Sequence, residues 1–187
     1  RIVGRVRCVY ETFADQGVKP VLAFLGGAKV SSKLNIFYNL IKKVDKIIIG
    51  GGMAYTFIAA QGGKIGESLI EDDLIENAKE ILEIANTLNK EIILPDDIKA
   101  STDFNQNDLI KIFDSNNIGS GWMGLDIGPK TIEKFNQTIL SSKTIIYADN
   151  VKANFEPTNK SLKKAVAKGN VVIENKAKGR KSKADLG

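Results

Sequence analysis

Val21-Leu22-Ala23-Phe24-Leu25-Gly26-Gly27-Ala28-Lys29-Val30-Ser31-Ser32-Lys33-Leu34 is the stretch on which the fold turns. Five apolar residues end on a glycine pair, which predicts a short buried strand that stops abruptly. From Ser32 on, Leu34, Phe37, Leu40, Ile41 and Val44 recur at helical spacing. Strand, glycine turn and helix form half of a βαβ unit, and the same order repeats outward. Lys46–Ile49 is a second apolar strand, closed by Gly50-Gly51-Gly52, and Met53–Ala60 reads as a helix. Residues 68–85 carry one apolar stripe (Leu74, Ile75, Ala78, Ile81, Leu82, Ala85), and the opening acids Glu71, Asp72 and Asp73 suit the positive end of a helix dipole. Residues 91–94 give a third strand stopped by Pro95. Pro129 fits the first turn of a helix running to about Leu140, and 143–147 give a fourth strand.

This alternation predicts a three-layer, Rossmann-like α/β domain with a mainly parallel sheet. Right-handed crossovers would place every strand's carboxyl end on one edge of the sheet, the edge where such folds bind ligands. Gly26, Gly51 and Gly124 are all expected there.

Composition narrows the chemistry. The 187 residues suit one domain, and 43% hydrophobic with 26% charged residues is ordinary globular usage. The single cysteine, Cys8, cannot form an internal disulfide, which suits a cytoplasmic protein. With no histidine in the chain, imidazole catalysis and His-ligated zinc are excluded. Nine of the 27 basic residues, against two of the 22 acidic ones, lie from Lys160 onward. The body is thus slightly acidic and the end basic, which is the pattern of a solvated tail. A nucleic-acid protein would instead carry a basic face within the fold. No apolar run is long enough to span a membrane.

Glycines between strand and helix let the backbone approach an anion, with free N–H groups and the helix dipole directed at it. They also simply permit tight turns. Lys29 and Lys33 tilt the reading toward an anion, because residues four apart at the start of a helix project from one face. Neither glycine cluster has Walker A or dinucleotide-fingerprint spacing. Physical reasoning alone therefore gives an anion or nucleotide site without a named reaction.

The run 25–34 resembles the nucleotide-loop motif of phosphoglycerate kinase. Ile49-Gly50-Gly51-Gly52-Met53-Ala54-Tyr55-Thr56-Phe57 and Gly121-Trp122-Met123-Gly124-Leu125-Asp126-Ile127-Gly128-Pro129 are similar to its next two motifs, and Leu94-Pro95-Asp96-Asp97 to its strand-ending segment. The resemblance implies a phosphoglycerate kinase-like nucleotide-binding domain over 19–173, an unassigned segment 1–18, and a basic tail or altered closing loop over 174–187. It implies phosphoryl transfer between 1,3-bisphosphoglycerate and ADP in glycolysis, with ATP or ADP and Mg2+ as cofactors. Residue by residue, it places Gly27, Ala28 and Lys29 beside the nucleotide phosphates, with Lys29 as the catalytic cation on the transferring group. Lys33 would contact the phosphate chain, Gly51, Gly52 and Gly124 would wall the adenine and ribose, and Glu156 would hold the ribose hydroxyls.

Three features depart from the family. Its N-terminal domain, with the arginine-rich pocket for 3-phosphoglycerate, has no counterpart before Lys19. Where the family has W-N-G-P, this chain has Tyr147-Ala148-Asp149-Asn150, and Asp149 would repel phosphate. The family's closing G-G-G-D-[ST] loop, whose aspartate holds magnesium, is replaced after Val171-Val172-Ile173 by Glu174-Asn175-Lys176-Ala177-Lys178, so no residue is assigned to a metal. A monomer is expected, with an adenine nucleotide as partner and with neither membrane nor nucleic acid. Three functions stay open: an ATP-dependent phosphotransferase inactive as an isolated chain, a non-catalytic nucleotide-binding module, or a basic-tailed interaction protein on the same scaffold.

Overall fold

β1 (Val21–Leu25) lies inside a six-stranded sheet of order β11-β10-β9-β1-β2-β4. β2 (Lys46–Ile49), β4 (Glu91–Ile93) and β9 (Thr144–Ala148) run parallel to it, in registers that pair Leu25 with both Ile49 and Ala148. The computed structural model describes residues 18–104 and 109–148, and the strands β10 (Val171–Asn175) and β11 (Arg180–Ala184).

The period-two alternation of the strands divides the core into two layers. Val21, Ala23 and Leu25 of β1, with Ile47 and Ile49 of β2, pack against α1 (Leu34–Leu40), α2 (Met53–Ala60) and α3 (Ile75–Thr87). Leu22, Ile48 and Ile145 face the other way onto Phe135 and Ile139 of α4 (Pro129–Ser141). Helices on both faces of a parallel sheet make the predicted three layers. Each fully buried Ile or Leu contributes about 1.5–3 kcal/mol, so this stack dominates the fold's stability.

A second, antiparallel sheet of order β6-β5-β8 was not visible in the sequence: β5 is Asp97–Ser101, β6 Lys111–Asp114 and β8 Met123–Ile127. Two short strands, β3 (Lys64–Ile65) and β7 (Asn117–Ile118), also pair. Asp97 joins the second sheet to α4, its carboxylate accepting the amides of Lys130 (3.1 Å) and Thr131 (2.8 Å). Burial pushes the Asp97 carboxyl up, but the Thr131 hydroxyl, these two amides and the Lys130 charge outweigh it and leave the group below the usual carboxylate range. A strand carboxylate thus supplies the helix cap that Gly128, the N-cap residue, has no side chain to make.

Two expectations need correction. The helix expected over 68–85 begins later, as a 3₁₀ turn at Asp72–Leu74 followed by α3. Ser68 and Glu71 are drawn out of it by tertiary hydrogen bonds to Gly124 and Ser31. Nor do all strands end on one edge: β10 is antiparallel to β9, with Asn175 opposite Thr144. The carboxyl end of β10 therefore lies at the edge opposite the glycine turns. Arg180–Ala184, in the segment read as a solvated tail, pairs with β10 as an antiparallel strand.

Candidate functional site

The two glycine turns are hydrogen-bonded to each other at the carboxyl edge of the parallel strands. The Gly50 amide donates to Leu25 O (2.9 Å), and the Met53 amide, first in α2, donates to Gly27 O (3.0 Å). Gly51 has φ +69°, and a Cβ there would stand 2.7 Å from Gly27 O, so the turns can meet this closely only with glycine at 51.

Beside them opens a cavity of about 490 Å³. It is lined by Ala28, Gly51 and Gly52 from the parallel-sheet turns together with Ile98 of β5 and Met123 and Gly124 of β8. A methyl group on Gly124 would overlap the Tyr55 hydroxyl. Tyr55 is 4% exposed, and burial followed by the Asp126 charge pushes its phenol far above the ordinary value, so it stays neutral. Largely apolar walls with a few polar groups are the make-up of a small-molecule site.

The lysines do not share a face. α1 begins at Leu34 with Lys33 as its N-cap residue, so Lys29 through Lys33 form a turn and the helical spacing does not apply. Lys29 is exposed, whereas Lys33 is only 7% exposed. The position of a Cβ on Gly27 is 3.3 Å from Lys33 Cε, so the lysine stem lies along the glycine turn. Among the described residues, the Lys33 ammonium has no carboxylate or hydrogen-bond partner. Burying a cation is costly, and an anion at this turn would offset the cost.

Of the residues singled out from the sequence, Ala28, Gly51, Gly52 and Gly124 line one cavity, and Gly27, Lys29 and Lys33 belong to the turn that bounds it. Gly26 is buried behind the turn and does not line the cavity. Glu156 and Asp149 fall outside the described residues. Sequence reasoning gave no role to Tyr55, Glu67, Leu69, Phe104 or Asp126, which also line it. Tyr55 and Asp126 stood within the quoted motifs and could have been found there; Leu69 was hidden by the helix assigned across it. No group of three or more acidic or cysteine side chains among the described residues could hold a metal ion, so no step is assigned to magnesium. None of the described helices is long and apolar enough to cross a membrane.

Glycine turns at the carboxyl edge of a parallel sheet, a buried lysine at a helix start and a largely apolar cavity beside them define a three-layer α/β domain with a pocket at its sheet edge. Comparison with known proteins narrows the class. The model of the family "Phosphoglycerate kinase" matches residues 6–175, and the chain belongs to that family. It is 50% identical over 129 residues to phosphoglycerate kinase of Oenococcus oeni and 52% identical over 130 residues to that of Lactobacillus delbrueckii subsp. bulgaricus. Those alignments take in 69% and 70% of this chain, and in each case 31% of the relative's length. Phosphoglycerate kinase from Coxiella burnetii superposes with a TM-score of 0.71 at 30% identity, over 78% of this chain and 37% of that one.

Proposed function

We propose that this chain supplies the nucleotide-binding half of a phosphoglycerate kinase, binding ADP or ATP at the glycine turns, and that it does not turn over alone. The observation that carries this reading is the convergence of Ala28, Gly51, Gly52 and Gly124 on one largely apolar cavity beside the turn that holds the buried Lys33. The base and ribose lie between the glycine wall and β8. Lys33 takes a phosphate oxygen from beneath the turn, and the exposed Lys29 spreads charge over the transferring phosphoryl group. Fixed cations at the place where phosphoryl charge develops supply the electrostatic part of the catalysis. Glu156 receives the ribose hydroxyls. Magnesium, when bound with the nucleotide, would add Lewis-acid stabilisation of the phosphates.

The transfer also needs the acyl phosphate held in line with the nucleotide. Orientation of two reactants is worth roughly 7–11 kcal/mol in favourable cases, and this chain spans 31% of the length of its relatives. Titration calorimetry with ADP should give saturable binding, and an assay with 1,3-bisphosphoglycerate and ADP on the 187-residue chain should give no turnover. Absence of ADP binding would overturn the reading; substantial turnover would overturn its second half.

A further inference from the structure

The segment 67–71, of which 68–71 was expected to be helical, is instead a strap across all three glycine motifs. The Glu67 amide donates to Trp122 O (2.8 Å), and Ser68 Oγ accepts the Gly124 amide (2.8 Å). Leu69 lines the cavity against Gly52. The Glu71 amide donates to Oγ1 of the buried Thr56 on α2 (3.2 Å). The strap ends at the lysine turn: Ser31 donates its amide to Glu71 Oε2 (3.1 Å) and its hydroxyl to Oε1 (2.6 Å). The Val30 amide also favours the charged form of the same carboxylate.

Within the Lys29–Lys33 turn, Lys33 N–H donates to Val30 O and Ser32 Oγ to Lys29 O, both 2.8 Å; Val30 is buried in the core, whereas Ser31 and Ser32 stand exposed. We propose that Glu71 is a positioning residue, whose carboxylate clasps the amide and hydroxyl of Ser31 and holds the Lys29–Lys33 turn in the shape that receives the phosphate groups of a nucleotide. The proposal rests on the nucleotide-binding reading of the same site. Burial raises the Glu71 carboxyl, but the Ser31 hydroxyl, the Ser31 and Val30 amides and the Lys29 charge outweigh it, so Glu71 is anionic at neutral pH.

The sign of one substitution separates positioning from simple electrostatics. A carboxylate beside a phosphate site repels the ligand, so removing it would tighten binding if charge alone mattered. Positioning requires the reverse, because a loosened turn must be ordered again on binding.

Glu71→Ala should weaken ADP affinity about tenfold in calorimetry, the scale of a lost charge-assisted hydrogen bond. Ser31→Ala should weaken it too, and the double variant should be no worse than Glu71→Ala. The Val30 and Ser31 amides should exchange faster with solvent in Glu71→Ala without ligand. Tyr38→Phe, which removes a comparable exposed hydroxyl–carboxylate link from Tyr38 to Glu80 (2.6 Å), should leave affinity unchanged. Equal or tighter ADP binding by Glu71→Ala, or unchanged exchange at Val30 and Ser31, overturns the proposal. Wild type that fails to bind ADP, while amide exchange still responds to Glu71, refutes the nucleotide reading and with it the role in binding, leaving the clasp as structure alone.

Discussion

Replacing Lys33 with methionine should move stability and binding in opposite directions. The lysine is 7% exposed and its stem lies along Gly27, so methionine can fill nearly the same volume without opening a cavity. What disappears is an ammonium with no protein anion beside it among the described residues. Relieving such burial should stabilise the free chain by about 1–2 kcal/mol, within the gain common for removing a functional but strained feature. On the proposed reading the same substitution removes the cation that meets the phosphate chain, which should cost roughly 1.5–3 kcal/mol of ADP binding, about tenfold or more in affinity. Urea denaturation and ADP calorimetry in one buffer at one ionic strength measure both quantities. A variant that loses stability while keeping its ADP affinity would show that Lys33 is a paired structural residue and would refute the reasoning.

Gly124→Ala drives a methyl group into the Tyr55 hydroxyl and ring and should cost about 1–3 kcal/mol, with part of the loss recovered in the shorter Tyr55→Leu background; urea denaturation of the single and double variants checks it, and no recovery would remove the Tyr55 clash as the cause. Stability should also fall in acid. The carboxyls of Asp97, Asp45 and Glu71 all lie below their ordinary values in the folded chain, so the stability they add is fully present above the unfolded pKa of about 4 and is lost as pH falls through the lower folded values. For Asp97 the sign is specific: Asp97→Asn should be less stable at pH 6 yet lose less on going to pH 3, and an acid limb unchanged from wild type would contradict it.

How far the sequence reached differs between the two sheets. Around β1 the apolar runs were continuous, and those of β1, β2 and β4 closed on glycine or proline, so the strands of the parallel sheet and the helices after β1 and β2 could be read in advance. β5 and β8 offered no such signal: DIKAS and MGLDI mix charged, small and apolar residues. They are strands because Ile98 pairs with Ile127 and Ala100 with Gly124, contacts that exist only once the chain has come back on itself.

The candidate site shows the same division. Local sequence determined that glycine turns and lysines would gather at the carboxyl edge, because strand direction and turn chemistry are set within a few residues. Only the tertiary structure decided that Lys33 is buried and Lys29 exposed, since the helix starts after both and packing separates them. It also decided that Ser68 and Glu71 leave the helix their stripe suggested. Helix propensity is worth tenths of a kcal/mol per residue, whereas a satisfied buried amide or a charge-assisted hydrogen bond to Ser31 or Gly124 is worth a kcal/mol or more, on the order of several residues of propensity. Long-range hydrogen bonds therefore win wherever they compete with local preference, and they compete where the three glycine motifs meet.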